Sequence, residues 1–78
     1  MKGLLEFLIR GLVDLPDAVV IEETARNGER LFRVQVAPAD VGKVIGRQGR
    51  TVKAIRSVMQ ALEKKSGQRG ALEILEAP

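Results

Sequence analysis

The 78-residue sequence predicts a single α+β domain with the element order αββααβ. Three observations carry that prediction. A leucine-rich opening segment repeats its apolar residues at helical spacing. Two extended runs then meet at Asn27-Gly28. After them, two helical patterns are joined by the short stretch Gly46-Arg47-Gln48-Gly49 before a last alternating run closes the chain.

Residues 2 to 15 read as one helix that stops before Pro16. At 100° per residue Leu4, Leu5, Leu8, Ile9, Leu12, Val13 and Leu15 cover an arc of about 180°, wider than the ~100° stripe that one core contact needs. Glu6, Arg10 and Asp14 form a narrow polar stripe opposite, with Glu6 and Arg10 in the favourable i, i+4 order. The surplus apolar arc suggests a second subunit; a helix well buried on a small sheet is the alternative. Phe7 and Phe32, the only aromatic residues, both fit core positions.

Ala18 to Arg26 and Arg30 to Ala37 read as strands of one hairpin. Asn-Gly between extended runs is a strong hairpin signal, because both residues accept the φ > 0 of a type I′ turn. Closing that turn pairs Ile21 with Val34 and Val19 with Val36, and sets Glu22 against Arg33 on the other face. Glu23 falls opposite Phe32 on the apolar side, so the outer end of the hairpin is expected to be solvated.

Pro38-Ala39-Asp40 suits the start of a short helix, with proline in the first turn and Asp40 at the positive end of the dipole. That helix runs through Val41, Val44 and Ile45. The next carries Val52, Ile55, Val58 or Met59, and Leu62 at three- and four-residue spacing, with Lys64 and Lys65 in its last turn and Gly67 as its stop. Residues 71 to 76 read as a final strand with Leu72 and Ile74 on one face.

Composition narrows the chemistry. A chain this short buries about 60–65% of its unfolded surface, enough for one small core. With 45% hydrophobic residues and no low-complexity tract it is expected to be ordered. There is no cysteine and no histidine. Disulfides, Cys–His zinc sites and histidine acid–base chemistry are therefore excluded, and no cofactor or small-molecule substrate is expected. Glu6, Arg10 and Asp14 interrupt the leucine-rich start, and no run reaches the roughly 18 apolar residues of a membrane span. The expected location is cytoplasmic, away from membranes.

Charge singles out one region. From Val41 to Leu62 there are five basic residues (Lys43, Arg47, Arg50, Lys53 and Arg56) and no acidic ones. Those five belong to a total of 13, so the rest of the chain has eight basic against ten acidic residues. The positive charge that attracts a polyanion is thus concentrated around the glycine loop. Gly46 and Gly49 permit φ > 0 and close backbone approach, and the loop opens onto a helix N-terminus that favours an anion. A phosphate is the natural guest.

The loop and its flanks resemble the signature of the KH domain: an apolar pair, G-x-x-G, then apolar residues three and six positions after the second glycine. Here these are Val44-Ile45, Gly46 to Gly49, Val52 and Ile55. The order αββααβ resembles the prokaryotic, type II arrangement over residues 1 to 78, as in small stand-alone bacterial members of the family. That resemblance implies a three-stranded mixed sheet of order 1-2-3 packed on helices, its first pair antiparallel and its last pair parallel. It also implies a protein that binds single-stranded RNA, clamping about four unpaired nucleotides at the G-x-x-G loop. On this mapping Gly46, Arg47, Gln48 and Gly49 hold the sugar–phosphate backbone, and Lys43, Arg50 and Lys53 line the phosphate track. Val41, Val44 or Ile45 forms an apolar floor for bases, alongside strand residues near Val34 and Val36. The family further implies a homodimer, or a heterodimer with a larger Jag-type KH protein, and a role in post-transcriptional regulation or as an RNA chaperone.

Rival readings fare less well. A Walker A loop ending its second glycine at Gly49 needs glycine at position 44 and lysine at position 50, where the chain has Val44 and Arg50. An enzyme is not expected, since the carboxylates do not converge on the loop. A helix-turn-helix reader of duplex DNA has the formal helix, turn and basic helix. Two glycines around Arg-Gln suit backbone approach better than helix–helix packing. A protein-interaction subunit with a non-essential RNA site is the third alternative.

Overall fold

The computed structural model describes residues 1–67 and 69–78. Helix α1 spans Lys2–Leu12, strand β1 Val20–Arg26 and strand β2 Glu29–Val36; helix α2 spans Val41–Ile45, helix α3 Arg50–Ser66 and strand β3 Arg69–Glu76. The strands lie in the order β1-β2-β3, β1 antiparallel to β2 and β2 parallel to β3. This is the αββααβ order and mixed sheet expected of a type II KH domain.

Helix α1 is shorter than its apolar pattern suggests. Val13 is already extended (φ −97°, ψ 159°), and Leu15 is held off helical geometry (φ −116°, ψ 73°) as the residue before Pro16 must be. The backbone N–H groups of Asp14 and Leu15 instead donate to the Asp40 carboxylate at 3.2 and 3.0 Å. Tertiary hydrogen bonds replace the last helical turn.

The hairpin closes at Asn27 (φ 54°) and Gly28 (φ 79°), both in the left-handed region that the turn requires. Its ladder pairs Ile21 with Val34, Glu22 with Arg33 and Glu23 with Phe32, in the register read from the sequence. The ladder starts at Val20 with Gln35, so Val19 lies just outside the strand, although it is buried like Val36. Arg33 forms its ion pair with Glu73 of β3 at 3.6 Å rather than with Glu22. Glu23 stays exposed at the outer end and meets Arg30 at 3.4 Å.

One face of the sheet is covered by the helices. Ile21, Phe32, Val34, Val36 and Leu72 pack against Leu5 and Ile9 of α1, Val44 of α2, and Val52, Ile55 and Met59 of α3. Among these helical residues the spacing is three, four or seven, the period of a single helix face. Phe7 does not join them: it lies on the far side of α1 and is 77% exposed, contrary to its expected core position. Leu5 and Ile9 set which face of α1 is buried, and Phe7 falls about 160–200° from both.

Candidate nucleic-acid interface

The glycine loop is shaped by three positive-φ residues within four. Helix α2 ends at Gly46, whose N–H donates to the Gly42 carbonyl at 2.9 Å and whose backbone (φ 77°, ψ 171°) lies where essentially only glycine is found. Gln48 follows at φ 57° and Gly49 at φ 74°, and the Gly49 N–H returns to the Gly46 carbonyl at 3.1 Å. A Cβ at Gly46 would stand 2.2 Å from Thr51 Oγ1 and 2.8 Å from the Thr51 nitrogen. A Cβ at Gly49 would meet nothing within 4 Å. Gly46 is therefore required by contact and conformation, Gly49 by conformation alone.

The turn delivers the chain directly into α3. Gly49 is the N-cap of that 17-residue helix and supplies no side-chain cap. The first-turn N–H groups of a helix lack intrahelical partners, and Gly49 has no side-chain oxygen to cap them. Together with the helix dipole this is a setting that favours an anion.

Three cations border it freely. Arg47, Arg50 and Lys53 are exposed, and Arg50 Nη2 donates to Gln48 Oε1 at 3.3 Å, which ties the loop tip to the helix start. The other two basic residues of the window are engaged. Arg56 donates to the Leu72 carbonyl of β3 at 3.4 Å. Lys43, expected on the phosphate track, has its ammonium between two carboxylates, in a close ion pair with Asp14 and 3.3 Å from Asp40 Oδ1.

Asp40 is the residue that sequence reasoning undervalued. It is 1% exposed, the one buried charged side chain among the described residues, and accepts from Asp14 N–H, Leu15 N–H and Lys43 Nζ. Burial pushes its carboxyl up, but the Asp14 and Leu15 N–H groups and the Lys43 ammonium outweigh burial and hold it below its ordinary value. Lys43 is pushed the other way, upward, first by its bond to Asp14 and then, against some burial, by Asp40. A lysine three residues after the aspartate was the only local hint of this cluster. Its other half lies some 26 positions away in sequence.

The apolar floor is smaller than expected. Val44, Val34 and Val36 are fully buried in the core and present nothing to a base. Val41 and Ile45 are half-buried at the edge of the core, on the side of α2 that is not sealed. The structure thus brings together Gly46 to Gly49, Arg50, Lys53, Val41 and Ile45, buries Val44, and pairs the exposed Lys43 with Asp14 and Asp40.

Comparisons with known proteins agree on one family. The model of the KhpA/KhpB KH domain matches residues 2–74. The chain is 45% identical over 75 residues to the RNA-binding protein KhpA of Clostridium acetobutylicum, covering 96% of this chain and all of that one. It is 40% identical over 76 residues to the RNA-binding protein KhpA of Chlamydia pneumoniae, covering 97% of each chain. The match to the protein of the same name from Aquifex aeolicus is also 40%, over 97% of this chain and 96% of that one.

Proposed function

The chain belongs to the KhpA/KhpB family of KH domains, and from that premise we propose that it binds single-stranded RNA at the Gly46–Gly49 loop. About four unpaired nucleotides would lie along the loop. Their phosphates would meet its backbone N–H groups and the cations Arg47, Arg50 and Lys53. Val41 and Ile45 would offer apolar contact to bases. With no aromatic residue at the loop, affinity and sequence preference from one domain would be modest. The cellular role we infer is post-transcriptional regulation or RNA chaperoning in the cytoplasm. No catalytic step is part of this reading.

The observation that carries the proposal is the loop itself. Positive-φ backbone that lets another chain approach closely, a helix N-terminus capped by glycine and three exposed cations coincide at one point. Relatives named RNA-binding proteins share the chain from end to end, which supports RNA over duplex DNA as the polyanion.

We extend the reading to assembly, as a homodimer or a heterodimer with a larger Jag-type KH protein. The support is that Leu4, Phe7, Leu12 and Leu15 all remain exposed in the monomer.

The test replaces Arg47 and Gln48 by aspartate. Both side chains are exposed at the loop tip, so stability should move by about 0.5 kcal/mol or less. Two negative charges in the path of the phosphates should weaken RNA binding at least about tenfold, or ~1.4 kcal/mol. Arg47→Asp alone, compared with Arg26→Asp at the hairpin end, is the control that holds the change in net charge equal. Normal RNA binding by the double variant, or an equal loss in the two single variants, would refute the loop clamp. A parallel titration with duplex DNA of equal length decides between the two polyanions.

A further inference from the structure

The row of β3 positions that faces the helices begins with a residue that has no side chain. Leu72 pairs with Phe32 across the parallel ladder and both are buried in the core. Gly70, two residues earlier on the strand, belongs to the same row. A Cβ there would stand 3.5 Å from Met59 Cε, 3.5 Å from Phe32 Cε2 and 3.0 Å from Glu63 Oε1. The missing side chain opens a cleft of about 660 Å³ between the start of α1, the last turns of α3 and the sheet. Phe32 and Met59 form its floor, and Leu4 and Leu62 line its sides.

The charged groups around this cleft are not equally committed. Glu63 accepts from the Gly70 N–H at 2.7 Å, and Arg30 is paired with Glu23 at 3.4 Å. Lys65 and Arg69 are exposed at the rim and form no ion pair among the described residues. An apolar trough of ~300–1,000 Å³ with a few polar groups at its border is the usual form of a small-molecule site. This one is remote from the glycine loop, since Lys65 lies about 22 Å along α3 from Arg50.

We propose that the cleft binds a small single-chain amphiphile, its apolar chain over Phe32 and Met59 and its anionic head, a carboxylate or a phosphate, between Lys65 and Arg69.

Both halves of such a ligand answer a feature of the site. A hydrocarbon chain laid over the apolar floor is removed from water, which favours binding in proportion to the area covered. An anionic head receives charge-assisted hydrogen bonds from the Arg69 fork and the Lys65 ammonium. A cationic head would be repelled there, and a chain with no charge would leave both donors to water. With about ten non-hydrogen atoms in the ligand, a dissociation constant on the order of 100 µM is expected.

The test titrates the isotope-labelled full chain with octanoate or octyl phosphate, up to about 5 mM, and follows backbone amides by NMR. Both anions should move the amides of Phe32, Leu62, Arg69 and Gly70 along saturable curves, and the tighter of the two identifies the head. Octanol and acetate, carrying only the chain or only the head, should bind at least about tenfold more weakly. Lys65→Glu combined with Arg69→Glu changes two exposed residues, so circular dichroism should match the parent. That double variant should weaken octanoate at least about tenfold and leave octanol unchanged. Gly70→Ala puts a methyl into the cleft and should weaken octanoate and octanol alike. No saturable shift with either anion overturns the proposal, as do shifts confined to α1 or to the glycine loop. Octanol as tight as octanoate, or a double variant that binds octanoate normally, overturns the anionic head and the proposal with it. Cleft amides that move when the protein alone is concentrated mean that a second copy fills the space, which overturns the small ligand.

Discussion

Replacing Gly46 by alanine should damage this domain far more than replacing Gly49, though both glycines belong to the same motif and both have positive φ. At Gly46 two costs add. The backbone at φ 77°, ψ 171° is essentially closed to L side chains, a strain of about 1–3 kcal/mol. The new methyl would also lie 2.2 Å from Thr51 Oγ1, 2.7 Å from Thr51 Cβ and 2.8 Å from the Thr51 nitrogen. A rotamer change moves only the hydroxyl. The nitrogen belongs to the first turn of α3, so relief requires shifting the helix, and overpacking of that kind costs about 1–3 kcal/mol. The sum is about 2–6 kcal/mol. For a chain of this length total stability is only about 4–12 kcal/mol. At Gly49 the methyl enters open space, and what remains is the left-handed penalty of about 1–2 kcal/mol. Urea denaturation of both variants measures the difference. Equal losses, within about 0.5 kcal/mol, would refute the assignment of a contact role to Gly46.

Three further outcomes are expected. Lys43→Gln should lower the melting temperature yet change RNA affinity by less than about twofold, whereas Lys53→Gln should weaken RNA severalfold; the reverse order, by fluorescence anisotropy and thermal melting, would return Lys43 to the phosphate track. RNA affinity should fall with salt at a slope in log K against log [salt] of about −2 to −3, since three or four phosphates are neutralised on a single strand; a slope near zero would remove the basic window from the contact. Because the Asp40 pKa is lowered in the fold from its ordinary 3.8, the unfolded chain takes up the proton first. The stability from this carboxylate is present above about pH 4 and is lost as pH falls through the folded value. Lys43, raised above 10.5, contributes below that pH and loses its contribution as pH climbs through its own folded value. Melting curves of Asp40→Asn should accordingly be flatter than wild type at the acid end, and parallel curves would count against the buried carboxylate.

How much of this was legible in the sequence depends on the range over which each signal acts. The Asn27-Gly28 turn, the Gly67 stop and the G-x-x-G loop are local: their conformations are set by residues that tolerate φ > 0, and all three appear as read. Register followed from the turn, because a two-residue hairpin fixes every pair behind it. Phe7 was misjudged for a different reason. At 100° per residue it falls outside the arc from Leu4 to Val13 and next to Asp14 of the polar stripe. The pattern itself set it away from Leu5 and Ile9, and its aromatic ring was weighed above its position. The end of α1 was misplaced because the apolar period continues through Val13 and Leu15, while the Asp40 carboxylate, beyond the hairpin, accepts from the N–H groups of Asp14 and Leu15.

That same carboxylate bears on which basic residues stand free of acidic partners. Of the five basic residues between Val41 and Leu62, the mapping took Lys43, Arg47, Arg50 and Lys53 as ligands for phosphate. Asp40 lies one residue before that window and Asp14 far upstream, and together they claim Lys43. Arg56 is turned to a strand carbonyl. The three remaining cations sit on the last residues of the loop approach and the first turn of α3, within about two helical turns of one another. Concentration of charge on so short a segment fits a ligand that crosses the loop, not one that runs along the whole helix. The anchored Lys43 has a separate consequence for the loop. By tying α2 to the end of α1 through Asp14, and with Asp40 gripping the Asp14 and Leu15 backbone, it fixes the helix from which Gly46 departs. The position of the glycine turn therefore depends on a salt-bridged joint outside it, and mutations at Asp40 should loosen the loop without touching any atom of it.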